Sequence, residues 1–261
     1  MKKILLPIIL LLLVAIGAGI WLYDAFYGNC VKERHSLFVY ASYPYEQVAD
    51  SVDQYIGKKW AYDLYAKRLG LKESLKAGHY VLEKGMSVIE VVRMLKLGLQ
   101  TPVNVTMNNV KTPAYLAGKL AKHIDADSVE IVTALTDKKK AKELGFDNPL
   151  TMFSIFLPNT YEFYWTVSPE DFVDRMYKEY KRFWENGRDQ KRQRTKLSRV
   201  EVSTLASIVY EETRKVDEMP RIAGVYINRL RKGIPLQADP TIKYAMQDFG
   251  LRRILYRHLK Y

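Results

Sequence analysis

The sequence contains little cysteine and little histidine. One of its 261 residues is a cysteine, Cys30, and four are histidines. A disulfide within the chain is therefore excluded, and neither residue type recurs at the spacing of a structural zinc site. A glycine-rich phosphate loop is also missing, and spacing identifies no Ser, His and Asp set. We therefore expect no metal and no cofactor.

A long uncharged run lies at the N-terminus. Residues 4–23 read ILLPIILLLLVAIGAGIWLY, about the length that spans a hydrocarbon core. Trp21 and Tyr23 lie at its outer edge, where aromatic rings favour the membrane interface. Lys2 and Lys3 predict a cytoplasmic N-terminus and an anchor in the cell (inner) membrane, with the remaining chain outside. The alternative is a cleaved signal peptide, but no convincing cleavage site of small residues follows the run.

Acidic residues are outnumbered by basic ones. Asp and Glu total 29 against 41 Lys and Arg, which gives a formal net charge of +12. This balance favours an anionic partner such as phospholipid headgroups, nucleic acid or an acidic polymer. Export behind a membrane anchor argues against nucleic acid, and the basic stretch at 181–199 is interpreted as a solvated helix or loop. Hydrophobic residues make up 48% of the chain, so folded domains are expected.

The region after the apolar run divides into a linker and two domains. Residues 24–36 are predicted to form a polar linker, and residues 37–107 a small domain of short strands and helices. Within it, Ser87 and Glu90 form a capping box that predicts the start of a helix. Strands are predicted at 37–43, 78–82 and 101–107, and helices at 44–56 and 59–70. Longer helical patterns follow, and residues 108–261 are assigned to a second, mixed domain.

Two adjacent glutamates, Glu211 and Glu212, end the apolar run SIVYEET. Ser198 and Glu201 form a second capping box, which predicts a helix over 199–214. At helical spacing Glu212 falls within a stripe of apolar residues. The stripe comprises Leu205, Ile208, Val209 and Val216.

The two glutamates have different expected environments. Glu211 lies three residues from Arg214, where a solvated ion pair is expected. Glu212 is expected to point at the core or into a cleft, where a carboxyl group loses hydration and its protonated form is favoured. That state suits a general acid. The alternative is a structural carboxylate hydrogen-bonded to a neighbouring loop, and the helical pattern does not choose between the two.

A polar cluster follows in PRIAGVYINRLRKGIPLQADPT, residues 220–241. Pro220 opens a predicted helix and Gly233 ends it. Asp239 is expected to cap a last helix that begins with Pro240. Hydrogen-bond donors of the kind that bind sugars lie near the glutamate helix: Asn228, Arg229 and Gln237.

At these residues the sequence resembles the MltG/YceG-like family of endolytic murein transglycosylases. The motifs that carry the resemblance are LASIVYEET (205–213), INRL (227–230) and LQADPT (236–241), supported upstream by LKAGHYVLEKGMSVIEVVRML (75–95) and FLPNTYEF (156–163). The resemblance covers nearly everything after the apolar run. It implies an α+β protein with an N-terminal transmembrane helix, a LysM-like βααβ domain over 37–107 and a mixed α/β catalytic domain over 108–261.

The resemblance also implies an activity. Family members cleave the bond between N-acetylmuramic acid and N-acetylglucosamine in nascent peptidoglycan strands and leave a 1,6-anhydro end, which limits glycan length. The family's catalytic motif carries two glutamates; Tyr210 stands at the first position here and Glu212 at the second, so Glu212 is the expected catalytic residue. Substrate-binding roles are implied for Asn228, Arg229, Gln237, Asp239, Thr241 and Tyr161. Peptidoglycan strands, the membrane and peptidoglycan synthases are the expected partners.

Two alternatives to this activity stay open. Family members continue beyond the DPT motif, whereas this chain stops at RHLKY, so the catalytic domain is expected to be incomplete. One alternative is therefore a non-catalytic, membrane-anchored peptidoglycan-binding or scaffold protein. The other is a muramidase that uses water, which requires a second carboxylate such as Asp239 at about 5–9.5 Å from Glu212.

Overall fold

The structure is a computed structural model that describes the backbone of residues 2–260 and the side chains of residues 7–260. It is a mixed α+β protein in two compact units. The first unit reaches Thr133 and includes Pro158–Phe172; the second comprises Ala134–Leu157 and the chain from Val173 onward. The chain thus enters and leaves the first unit more than once, and the domain boundary at residue 107 stays a prediction.

The helices and strands of the described residues follow one another in this order. The first part of the chain forms α1 (Lys2–Tyr27), β1 (His35–Val39), α2 (Tyr45–Asp53), α3 (Lys59–Arg68), α4 (Leu71–Ser74), β2 (Gly78–Leu82), α5 (Val88–Leu97), β3 (Val103–Met107), α6 (Pro113–Leu120) and α7 (Ser128–Leu135). The remainder forms α8 (Lys138–Glu143), α9 (Pro149–Met152), β4 (Asn159–Phe163), α10 (Pro169–Glu185), α11 (Arg188–Gln193), α12 (Arg199–Glu212), α13 (Met219–Arg231) and α14 (Asp239–Ala245), with 3₁₀ helices at Phe153–Ile155 and Tyr256–Lys260.

Helix α1 is long and apolar. Its part Pro7–Tyr27 is long and hydrophobic enough to cross a membrane, and little of it is buried within the protein. The prediction of an N-terminal apolar helix of spanning length is confirmed. The helix extends past the predicted end at residue 23, because its last turn packs on the core of the first unit, where Ala25 is buried.

Residues 24–36 differ from the polar linker that the sequence predicts. Cys30 and Val31 are buried in the core of the first unit, and their backbone N–H groups donate to the carbonyl of Met86 at 2.9 and 3.1 Å. Burial raises the pKa of the Cys30 thiol to about 11. The neighbouring residues in the sequence are polar, so the burial of Cys30 and Val31 could not be predicted from them. The burial results from contacts with residues far along the chain.

Strands β1 and β2 form an antiparallel pair that encloses α2, α3 and α4 in sequence. Leu37 lies opposite Tyr80 in the register, and both side chains are buried. Helix α5 follows and begins at the predicted capping box, in which Ser87 N–H donates to Glu90 Oε2 at 2.7 Å and Glu90 N–H to Ser87 Oγ at 3.3 Å. The predicted order of strand, helices and strand is therefore present in residues 35–82.

Strand β3 has a different partner from the one its position in the sequence suggests. It pairs antiparallel with β4, with Val105 opposite Tyr161, rather than joining the β1–β2 pair. Val105 is fully buried. The sequence pattern predicts a strand at this point, but it carries no information about a partner that lies beyond four intervening α-helices.

The second unit is built largely from helices. Helix α13 carries Pro220 in its first turn and ends before Gly233, whose φ of +64° is a left-handed conformation that favours glycine. Both helix ends agree with the sequence prediction. A small apolar cluster joins α12 to α13 and to the segment before α14: Leu205, Ile208, Val209, Tyr226 and Ala238.

Candidate active site

Glu212 is the last residue of α12. The helix begins at the predicted capping box, in which Glu201 N–H donates to Ser198 Oγ at 3.1 Å and Ser198 N–H to Glu201 Oε2 at 2.6 Å. It ends because Thr213 has an extended backbone. Val216 consequently lies outside the helix and is 77% exposed, so its predicted place on the apolar stripe is wrong.

The side chain of Glu212 is exposed. Of the two predicted environments, the core or a cleft, the structure shows the cleft, because the chain turns away at the end of α12 and leaves one side of the carboxylate open. A cavity of about 310 Å³ lies beside it. The cavity is lined by Glu212, Ile222, Val225, Tyr226, Arg229, Gln237 and Asp239.

Tyr226 is the direct partner of Glu212. Its hydroxyl donates to Glu212 Oε1 at 2.9 Å, and its ring is buried. Burial raises the pKa of Tyr226 to about 12, with further contributions from its hydrogen bond to Glu212 and from the charge of that carboxylate. Tyr226 therefore stays protonated and remains a donor at neutral pH. The described residues offer Glu212 no second hydrogen bond, so Oε2 is accessible to a ligand.

Arg229 and Gln237 shape another wall of the cavity. The Arg229 guanidinium donates to the backbone carbonyl of Leu236 and approaches Gln237 Oε1 at 3.4 Å. The backbone of Gln237 has a φ of +52°, a left-handed conformation that a non-glycine residue adopts at a cost of about 1–2 kcal/mol. Such strain is typical of functional loops. Arg229 thus supports the loop in which Gln237 presents its amide to the cavity.

Asp239 is the second carboxylate of the cavity. Its predicted role as a helix cap is wrong, since α14 begins at Asp239 and the capping position is occupied by Ala238, without a side-chain hydrogen bond. The Asp239 side chain is exposed and lines the cavity. Its charge contributes to the raised pKa of Tyr226, so both carboxylates act on the same phenol.

The other sequence-predicted residues lie elsewhere. Thr241 donates from its hydroxyl to the carbonyl of Ala238 at 2.7 Å, within the first turn of α14. Asn228 is exposed on α13, and neither residue lines the cavity. Tyr161 belongs to the first unit, where it is buried on β4. The expected ion pair of Glu211 with Arg214 is confirmed at 3.4 Å.

Sequence reasoning missed the role of Tyr226. Two sequence features could have indicated this contact. One helix ends in a carboxylate, and the next helix carries a phenol on its buried face. The contact itself depends on how α12 packs against α13, and a linear pattern does not give that geometry.

The cavity combines two carboxylates, a phenol, a guanidinium and an amide, and it is open on one side. This set can hydrogen-bond a polyhydroxylated ligand and can transfer a proton through the unbonded oxygen of Glu212. Fold and site together define a mixed α+β protein with an N-terminal helix of membrane-spanning length and an acid–base cavity at the end of a helix.

Comparison of the whole chain with known proteins identifies its family. Residues 39–261 match the YceG-like family, and the chain belongs to that family. It is 26% identical over 215 residues to the endolytic murein transglycosylase of Bacillus subtilis (strain 168), a match that covers 77% of this chain and 59% of the relative. It is 25% identical over 220 residues to the endolytic murein transglycosylase of Streptococcus pneumoniae serotype 2, covering 72% of this chain and 38% of the relative. The chain thus spans less than two thirds of either relative.

A solved structure shares the fold. The crystal structure of a yceG-like protein from Listeria monocytogenes superimposes with a TM-score of 0.54 at 22% sequence identity, covering 88% of this chain and 80% of the other. At this identity the similarity establishes the fold alone.

Proposed function

We propose that the protein is a membrane-anchored endolytic lytic transglycosylase. It cleaves bonds between N-acetylmuramic acid and N-acetylglucosamine in nascent peptidoglycan and leaves 1,6-anhydro-muramyl ends, which limits glycan length. The observation that carries the proposal is the Glu212 carboxylate, held through Oε1 by Tyr226 at 2.9 Å in a cavity lined with hydrogen-bonding groups. Family membership and the names of the relatives support it.

One carboxyl group is sufficient for this reaction. The Glu212 carboxyl gives its proton to the glycosidic oxygen as the bond from that oxygen to the muramyl C1 breaks. The resulting carboxylate accepts the proton of the muramyl C6 hydroxyl as its oxygen bonds to C1. The proton thus returns to Glu212, and no water is consumed. Because Glu212 is exposed in the free protein, the bound glycan itself must exclude water from the carboxyl group.

The remaining parts of the chain have proposed roles beside this site. Gln237 and Arg229 bind sugar hydroxyl or acetamido groups, with Asp239 next to them, while Asn228, Thr241 and Tyr161 stay predicted substrate contacts. Residues 37–107 act as a LysM-like glycan-binding domain. Helix α1 crosses the inner membrane with its N-terminus in the cytoplasm, which holds the enzyme near newly made strands and peptidoglycan synthases and raises the effective substrate concentration.

A hydrolase is the second candidate, and the position of Asp239 favours it. This carboxylate is not used as a helix cap and lines the same cavity as Glu212. In an inverting or retaining glycosidase it would activate water or act as the nucleophile. The products differ, since hydrolysis leaves reducing ends.

Product analysis tests the proposal. Uncrosslinked nascent glycan is incubated with the wild-type chain, Glu212→Gln and Asp239→Asn, and the strand ends are identified by mass spectrometry. We expect anhydro-muramyl ends from the wild type, a loss of about 10²–10⁴-fold in Glu212→Gln, and the same type of end from Asp239→Asn. Reducing ends that disappear in Asp239→Asn would establish the hydrolase. A wild type that binds glycan without forming products would establish a binding or scaffold protein.

A further inference from the structure

Helix α3 in the first unit presents an exposed side that is both apolar and basic. Trp60 is 43% and Leu64 is 54% exposed, and they lie one helical turn apart on one face. Lys67 and Arg68 continue this face for another turn and are also exposed. We call these four residues the α3 strip. The opposite side of the helix is buried in the core through Ala61, Tyr62 and Ala66.

Aromatic contacts join the α3 strip to the end of α1. The Trp60 ring stacks on Trp21 with centroids 4.9 Å apart and planes 7° from parallel. Phe26 contacts the same ring edge-on at 5.9 Å. Lys58, which precedes α3, forms an ion pair with Asp24 at 2.8 Å. The start of α3 is therefore fixed beside the last turns of α1.

This contact sets the depth of Trp60 relative to a bilayer. An aromatic residue near the end of a membrane-spanning helix lies at the interface between hydrocarbon and water. Trp21 occupies such a position, and Trp60 must lie at the same depth because the two rings are in contact. Tyr23 and Tyr27 are 67% and 59% exposed and add two more interfacial side chains on α1.

The charges of the α3 strip suit anionic headgroups. Lys67 and Arg68 form no ion pair with any residue that the structure describes, so both charges are available. Lys59 is paired with Asp53 at 3.0 Å, and Asp63 is the acidic residue on the exposed side. Basic residues near a membrane surface are attracted by anionic lipids.

We propose that the α3 strip is a second membrane contact, with Trp60 and Leu64 in the interface and Lys67 and Arg68 on anionic phospholipid headgroups. The proposal rests on the proposed membrane anchoring by α1. A single spanning helix leaves an attached domain free to tilt about its end. A second contact through α3 would instead fix the orientation of the first unit, with the α3 side facing the bilayer.

Fluorescence quenching by spin-labelled lipid tests this contact on the full chain. In a Cys30→Ala background, single cysteines are introduced by Leu64→Cys, Leu13→Cys or Tyr115→Cys and labelled with an environment-sensitive fluorophore. All three positions are exposed. The protein is inserted into vesicles of equal parts phosphatidylcholine and phosphatidylglycerol that carry quenchers at the headgroup or deep in the acyl chains. Tyr115 on α6 is the matched control in the same unit.

We expect the Leu64→Cys probe to lose most of its emission to the headgroup quencher, and the Leu13→Cys probe to the deep quencher. The Tyr115→Cys probe should lose little to either. Adding Lys67→Glu and Arg68→Glu should reduce quenching at Leu64→Cys and leave Leu13→Cys unchanged. If Leu64→Cys behaves like Tyr115→Cys while Leu13→Cys is quenched, the α3 contact is overturned and the anchor stands. If Leu13→Cys is not quenched by the deep label, the anchor fails and the α3 contact with it.

Discussion

At the scale of single residues, the pair of Glu212 and Tyr226 defines the site. Tyr226 contributes a buried ring and a hydroxyl that donates to one oxygen of the carboxylate. A hydrogen bond to a charged acceptor is stronger than one between neutral groups and has a restricted geometry. Tyr226 thus holds Glu212 in one orientation although the carboxylate is exposed to water. We interpret it as a positioning residue.

Replacing Tyr226 by Phe removes this hydrogen bond and keeps the ring. A hydrogen bond to a charged group contributes about 1.5–3 kcal/mol, so we expect kcat/KM for anhydro-end formation to fall by about 10–100-fold. The matched control is Tyr244→Phe, an exposed tyrosine on α14. It should keep wild-type turnover. Equal activity of Tyr226→Phe and wild type would contradict the positioning role.

The same residue gives a pH dependence of stability. The pKa of Tyr226 rises from its ordinary 10.0 to about 12 in the folded protein. Because the folded-state pKa is higher than the unfolded one, the protonated phenol stabilises the fold. That contribution is fully present below about pH 10 and is lost as the pH rises toward about 12.

Urea unfolding across this pH window measures the effect. The free energy of unfolding of the wild type should fall more steeply between about pH 10 and about pH 12 than that of Tyr226→Phe. Other tyrosines titrate equally in both proteins and cancel in the comparison. Parallel curves would show that Tyr226 contributes nothing to the pH dependence.

At the scale of elements, the two ends of α12 have different structural roles. The N-terminal end is stabilised by the reciprocal hydrogen bonds of Ser198 and Glu201. These bonds hold the pKa of Glu201 below its usual value. The C-terminal end stops at Thr213 and leaves Glu212 at the margin of the cavity. The cap fixes where the helix starts, and Leu205, Ile208 and Val209 fix its rotation against α13.

Removing the cap should destabilise the helix. Ser198→Ala removes the Oγ that accepts from Glu201 N–H and keeps the backbone N–H that donates to Glu201 Oε2. We expect the free energy of unfolding to fall by about 1 kcal/mol. Ser207→Ala is the control, because among the described residues this exposed hydroxyl bonds to the carbonyl of Thr204 and to no other group. It should change stability by less than about 0.5 kcal/mol. Chemical denaturation of the wild type and the two variants measures these free energies of unfolding. Equal decreases in both variants would exclude a specific effect of the cap.

At the scale of the whole molecule, the proposed anchor determines where the protein works. Helix α1 exposes most of its side chains, including Leu11 at 71% and Leu13 at 61%. Such exposure of apolar surface is unfavourable in water and is expected for a helix in lipid. The anchor would therefore explain why this helix does not fold back on the protein.

Charges within α1 test the anchor. Arg in the middle of a membrane helix costs about 2.5–3.5 kcal/mol on an insertion scale, so Leu11→Arg combined with Leu13→Arg should move the protein from the membrane fraction to the soluble fraction. Leu97→Arg with Leu99→Arg is the control, because both residues are exposed and lie outside α1. Fractionation in alkaline carbonate followed by immunoblotting gives the result. Retention of the α1 variant in the membrane would contradict the anchor.

The sequence predicts local features of this molecule well and tertiary contacts poorly. Both capping boxes, strand β2 and the end of α13 before Gly233 depend on neighbouring residues, and all are found. The partner of β3, the burial of Cys30 and the bond from Tyr226 depend on packing between distant segments. The choice between the core and a cleft for Glu212 could not be made from the pattern for a related reason. A helical pattern fixes the rotation of a residue about the axis, but it does not fix the residue at which the helix stops.

The β3–β4 pair also constrains the order in which the protein can fold during synthesis. Met107 and Asn159, the nearest of its paired residues, are separated by on the order of fifty residues, and pairing of distant segments is slow. Strand β3 is synthesised long before β4 and carries apolar residues and free backbone groups during that delay. The first unit therefore cannot complete its second sheet until part of the second unit has been synthesised. This interval is the time at which the nascent chain most needs a chaperone.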